Sequence, residues 1–116
     1  MSAFSEFELD YLANGTRRLA RIATVGTDGT PHVVPVGYAY NPELDAIEVG
    51  GREFEHTKKF HDVWQSGRAA IVVDDLESVD PWRPRGVEVR GRAEAVTDPR
   101  PLIRIHPDRV RSWGLG

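Results

Sequence analysis

Residues 21–40, RIATVGTDGTPHVVPVGYAY, decide how the rest of the chain is read. Two β-rich runs, 21–25 and 32–40, flank Thr27-Asp28-Gly29-Thr30, where the Asp-Gly pair supplies the left-handed backbone that a tight turn between twisted strands requires. The spacing predicts a hairpin whose second strand begins after Pro31. That second run carries Pro35 and Gly37 among β-branched and aromatic residues. Proline donates nothing to a ladder and belongs at an edge or a bulge. Two readings follow: an edge strand built to resist aggregation, or a stretch of bare main chain against which a flat ligand lies.

Working outward, 116 residues suffice for one core and fall short of two domains of usual size, so one domain spanning 1–116 is expected. A net charge of −3 argues against a nucleic-acid footprint, and an apolar fraction of 40% argues against disorder. With no cysteine, disulfides, zinc thiolates and thiol nucleophiles are all absent. The N-terminus MSAFSEFELD lacks a basic region and a signal-length apolar run, and no later stretch is long enough to span a bilayer. The expectation is a soluble cytoplasmic protein without membrane contact.

Ser5-Glu6-Phe7-Glu8 has capping-box spacing, and Phe7, Tyr11 and Leu12 recur at helical intervals before Asn14-Gly15, which offers a left-handed exit. A short amphipathic helix is expected there. Residues 41–45 read as a turn and 46–49 as a third strand leading to Gly50-Gly51, so that three strands arrive as a meander. Over residues 56–67 the period changes: Phe60, Val63 and Trp64 fall at i, i+3 and i+4, and Gly67 closes a second helix. Its first turn holds Thr57, Lys58 and Lys59, the latter two being the only lysines in the chain. Cations at the positive end of a helix dipole are the reverse of the usual preference. Free amides, a hydroxyl and two ammonium groups together suggest a phosphate or carboxylate site; the plainer reading is two solvated lysines.

Residues 69–73 form a continuous apolar run expected of a central, doubly buried strand, and the acidic stretch 74–80 reads as a solvated loop. Trp82, set between prolines, either seals a core edge or covers a ligand. Residues 86–96 alternate, with Val87, Val89, Gly91, Ala93 and Ala95 inward and Glu88, Arg90, Arg92 and Glu94 outward. Residues 102–105 read as a last short strand, followed by a turn at His106-Pro107-Asp108. Six strands and two short helices favour an antiparallel barrel, although the small inward residues also suit a sandwich. His32, His56, His61 and His106 lack metalloprotease spacing, no metal site is expected, and neither Ser66 nor Ser78 sits in a nucleophile elbow. The side chains describe a binding protein or an enzyme whose cofactor carries the chemistry.

Four segments in order, RIATVGTDGTPHVVPVGY, HTKKFHDVWQSGRAAIVVDD, WRPRGVEVRGRAEAV and IHPDRVRSWGL, resemble the pyridoxamine phosphate oxidase-like split barrels. The resemblance points to the small deazaflavin (coenzyme F-420) dependent subgroup of actinobacteria. It implies a mainly β fold, a six-stranded antiparallel split β-barrel of the FMN-binding type, working as a homodimer with the cofactor in a cleft between subunits. It further implies a ring lying along Val34, Pro35 and Val36, and a phosphate held by Thr57, Lys58 and Lys59. His32, Gly50, Trp82 and Arg85 complete the implied cofactor-binding set, and Tyr38, Trp82 and Arg85 are candidates to line a substrate space. No catalytic side chain is assigned. The chain lacks the arginine-leucine and proline ending of the founding oxidases, so the resemblance implies hydride exchange between the reduced deazaflavin and a small organic acceptor, not vitamin oxidation. FMN is the alternative cofactor, and a non-catalytic cofactor carrier is the alternative role.

Overall fold

The computed structural model describes residues 1–13 and 18–116. Helix α1 (Glu6–Ala13) precedes strands β1 (Ala20–Val25), β2 (Pro31–Val36), β3 (Ala39–Asn41) and β4 (Ala46–Gly50). A 3-10 turn (Phe54–His56) leads into helix α2 (Lys58–Ser66), and β5 (Arg68–Ser78), β6 (Arg83–Val96) and β7 (Leu102–Trp113) complete the chain. All seven strands form one antiparallel sheet in the order β2-β1-β5-β6-β7-β4-β3.

That order forces the sheet to roll. Strands β2 and β3 are its two edges, yet only Gly37 and Tyr38 separate them in sequence. Laid flat, seven strands would hold the edges roughly 29 Å apart, whereas the three Cα steps from Val36 to Ala39 reach at most about 11 Å. The sheet therefore closes on itself at this corner without pairing β2 to β3, which makes a split barrel. The expected single run 32–40 is thus two strands, and the count is seven, not six. For the same reason the opening strands are not a meander: β1–β2 and β3–β4 are hairpins at opposite edges. Tolerance of Pro35 follows from β2 pairing on one side only, with β1.

The turn at 26–30 forms as expected. Gly29 takes φ 85°, its amide donates to Gly26 O at 2.9 Å, and Thr30 N donates to Asp28 Oδ1 at 2.9 Å. The capping box on α1 is reciprocal, Ser5 N donating to Glu8 Oε1 at 2.8 Å and Glu8 N to Ser5 Oγ at 3.2 Å. Tyr11 and Leu12 are buried but Phe7 is exposed, and the expected exit at Asn14-Gly15 lies outside the described residues. Helix α2 ends as predicted, Gly67 adopting φ 70° with its amide on Val63 O at 2.8 Å.

The long strands depart from expectation where the sequence turns polar. Strand β5 runs through the acidic stretch to Ser78, because β6 pairs with it as far as Ser78↔Arg83. Only one of its faces is fully buried, through Ala69, Ile71 and Val73. Strand β7 does not stop at Ile105. It continues through Pro107 by a bulge that leaves Asp108 unpaired, since Arg90 faces Arg109 while Gly91 faces Pro107. The approach there is so close that a Cβ on Gly91 would lie 1.9 Å from His106 O, so only glycine fits. Inside the barrel, Ile47 opposite Ile105 and Val49 opposite Ile103 join Ile71 and Val89, all at most 2% exposed. The inward face read for β6 is the observed one.

Candidate functional site

Directly opposed residues share a face of a sheet. The register Ala20↔Val36, Ile22↔Val34 and Thr24↔His32 therefore puts His32, Val34 and Val36 on the barrel side of β2, and Pro31, Val33 and Pro35 on the outside. Cover on the barrel side is uneven along the strand: Val36 is 7% exposed and Val34 39%, with His32 half-buried beyond it. At the His32 end the N-terminus of α2 arrives. Together Thr24, His32, Val34, Lys58 and Lys59 line a concavity of about 130 Å³.

The floor of this concavity is a buried polar knot. Asp62, 1% exposed, accepts from Thr24 Oγ1 at 2.8 Å through Oδ2 and from Lys58 Nζ at 3.0 Å through Oδ1. Burial alone would raise the Asp62 pKa; the hydrogen bonds from Lys58 and Thr24 outweigh it and hold the carboxyl below its ordinary value. On the other side, the backbone at Gly26 approaches Lys58 Nζ and Asp28 Oδ1, each 3.3 Å from where a Cβ would stand, with His32 Nε2 at 3.6 Å. Lys59 lies apart, its Nζ 5.0 Å above the Phe54 ring, and among the described residues it pairs with no carboxylate. Thr57 caps the helix: its hydroxyl accepts from Phe60 N at 3.3 Å and donates to Phe54 O at 2.7 Å. No acidic side chain occupies the first turn of α2.

Of the ten residues singled out from sequence, His32, Val34, Lys58 and Lys59 converge here, with Thr57 adjoining through the helix cap. Val36 lies deeper, within the core, and the Pro35 side chain belongs to the opposite face of β2. Gly50 lines a separate hollow of about 470 Å³ beside Gly37 and Tyr38. Trp82 stands 67% exposed in the turn joining β5 to β6, so it seals no core edge of the chain. Arg85 borders a larger hollow, about 630 Å³, between α1 and residues 114–116.

Size alone would favour that larger hollow, but two of its cations, Arg18 and Arg85, are already engaged by Asp75. Arg85 donates to Asp75 through Nε at 2.8 Å and Nη2 at 3.1 Å, Arg18 Nε adds 3.2 Å, and Tyr11 Oη donates at 2.8 Å. These contacts, Arg85 foremost, hold Asp75 well below the usual carboxylate range. We read the cluster as a clasp that fastens α1 to the β5–β6 hairpin. Sequence reasoning missed Thr24, Asp28 and Asp62. Spacing offered one signal for Asp62, which stands four residues after Lys58 on the same helix face.

A family profile described as pyridoxamine 5'-phosphate oxidase matches residues 12–114. The chain belongs to this family, and its seven-stranded split barrel is the fold expected of a member. A 5a,11a-dehydrotetracycline/5a,11a-dehydrooxytetracycline reductase from Streptomyces rimosus is 38% identical over 121 residues, covering 97% of this chain and 84% of the relative. Among solved structures, a conserved hypothetical protein from Mycobacterium tuberculosis superposes with a TM-score of 0.77 at 23% identity, over 97% of this chain and 86% of the other. An FAD-binding protein from Mycobacterium smegmatis superposes with a TM-score of 0.69 at 21% identity, over 97% and 96%. No described helix is long and apolar enough to cross a membrane.

Proposed function

We propose that this chain is a single-domain oxidoreductase that binds a flavin-type cofactor, coenzyme F-420 with FMN as the alternative, and reduces a small electron-poor organic acceptor. The observation that carries the reading is its 38% identity, over nearly the whole chain, to an enzyme that reduces a polycyclic dehydrotetracycline. The site is compatible in size and charge. A concavity of about 130 Å³ falls well below the roughly 300 Å³ at which ligand pockets begin, so it suits an anionic head group and leaves a ring to lie outside along β2. The free amides at the start of α2 and the Lys59 ammonium would hold the phosphate, and Val34 offers apolar surface beside it. When bound, the reduced cofactor supplies a hydride, and the acceptor takes up a proton with it.

The protein's own part is to hold and orient the cofactor. Sheet edge β2 pairs on one side only, with β1, and Pro35 within it and Gly37 just after it keep a donor and a side chain away from the main chain there. Beyond its barrel face, the outer face carries Val25 and Val33, 45% and 66% exposed, which favours a homodimer that buries them. The test is difference absorbance on adding coenzyme F-420 and FMN separately, followed by mixing the reduced, bound cofactor with a dehydrotetracycline and with simpler enones. Saturable binding with acceptor-dependent reoxidation is the expected result. Binding without turnover on any acceptor would favour the carrier role, and binding of neither cofactor would end the proposal.

A further inference from the structure

Lys58 does not meet an incoming anion as a bare cation. Its ammonium sits 3.0 Å from the Asp62 carboxylate, and the exposed Asp28 carboxylate flanks the same gap beside Gly26. Around the concavity, two lysines are therefore matched in number by two aspartates, and the positive excess left for a ligand is the partial charge of the helix start, about half a unit. Guanidinium forks, which grip dianions in pairs of bonds, are absent from its lining. Such a balance accommodates one negative charge far better than two.

Resting on the reading that this concavity takes the cofactor's phosphate, we infer that Asp62 makes it selective for a singly charged phosphodiester over a doubly charged phosphomonoester. The carboxylate is well suited to the role. At 1% exposure it is little screened by solvent, and its hydrogen bonds from Thr24 and Lys58 keep it ionised and fixed in place. Since the phosphate of coenzyme F-420 is a diester and that of FMN a monoester, the same charge discriminates between the two candidate cofactors.

The experiment uses a pair of probes that differ only in this charge, FMN and its methyl phosphodiester, titrated into wild-type protein and into Asp62→Asn. The amide keeps the size of the side chain and an acceptor for Thr24. Wild-type protein should bind the diester more tightly. Removing one unit of charge a few ångströms from the phosphate should favour the monoester over the diester by about ten-fold relative to wild type. Asp28→Asn, at an exposed site that tolerates the amide in its turn, should move the ratio in the same direction by less, and serves if Asp62→Asn does not fold. An unchanged ratio, or equal weakening of both probes, overturns the inference and assigns Asp62 a packing role. Should Lys59→Ala bind both probes as wild type does, or should wild type bind neither, the phosphate reading itself fails and takes the inference with it.

Discussion

Two adjacent lysines at the start of α2 stand in different surroundings, and replacing each with alanine should separate binding from stability. Lys59→Ala removes an ammonium that pairs with no carboxylate among the described residues and stands 5.0 Å above the Phe54 ring. A charge-assisted hydrogen bond to a phosphate is worth about 1.5 to 3 kcal/mol, so cofactor affinity should fall about ten-fold to a hundred-fold. Melting temperature should fall by only about 2 to 4 °C, since the half-buried Lys59 loses a cation–π contact worth about 0.5 to 1 kcal/mol. Lys58→Ala instead leaves Asp62, 1% exposed, with Thr24 as its remaining partner. Breaking a buried pair costs about 3 to 5 kcal/mol. Because the Lys58 side chain is itself 57% exposed, water takes over part of its role, and the expected loss is about 2 kcal/mol. For a chain of this size that is roughly 8 °C. Cofactor titration and thermal unfolding of both variants, each at low and high salt, make the comparison. Wild-type affinity in Lys59→Ala would refute the assignment of the phosphate, and an unchanged melting temperature in Lys58→Ala would mean that its bond to Asp62 contributes nothing in solution.

Three further outcomes are expected. Gly91→Ala must displace His106 O, which lies 1.9 Å from the new carbon, and should cost about 3 kcal/mol or more in urea unfolding; a loss under about 0.5 kcal/mol would mean that the β7 bulge is not formed. Asp75→Asn should loosen the clasp on α1, lowering stability at neutral pH by about 1 kcal/mol after allowance for its partial exposure. Since the folded-state pKa is depressed, this contribution is present in full above the ordinary value of 3.8 and is lost as pH falls toward the folded value, so the gap between variant and wild type should close in acid. Val33→Lys, on the outer face of β2 and 66% exposed, should convert a dimer to monomers in light scattering without altering the barrel; a stable wild-type monomer at micromolar concentration that binds cofactor would refute the dimer.

How much of this was legible in the sequence depended on whether a feature was local. Capping box, turn glycine and helix stop all rest on contacts within five residues, and Ser5, Gly29 and Gly67 adopt the roles their chemistry dictates. Alternation marked the inward face of β6 because one side of that strand packs from Val87 to Ala93. Strand ends were misread where pairing overrode composition: β5 keeps its acidic tail extended because β6 runs beside it, and β7 absorbs Pro107 through a bulge that no single-strand pattern announces. Phe7 and Trp64 satisfied helical periodicity yet lie in the open, while Asp62, between Phe60 and Val63, is the residue that points inward. Its partner Thr24 is 38 positions away, a pairing that only the tertiary fold supplies.

The split in the barrel accounts for both the site and the way the chain tolerates it. A closed barrel would bury the inner face of β2 along its length; here cover is lost from Val36 to Val34 because β3 leaves for the far edge after two residues. The gap so opened admits water to the end of the core, and a purely apolar lining there would carry a continuing cost. Thr24 and Asp62 answer it with a polar floor whose hydrogen bonds are satisfied on the protein side, leaving no buried side-chain polar atom without a partner among the described residues. That floor then fixes Lys58 at the rim. Position and charge at the mouth are thus set by the same carboxylate that closes the core, which is why a change at Asp62 should be read in ligand preference and in stability together.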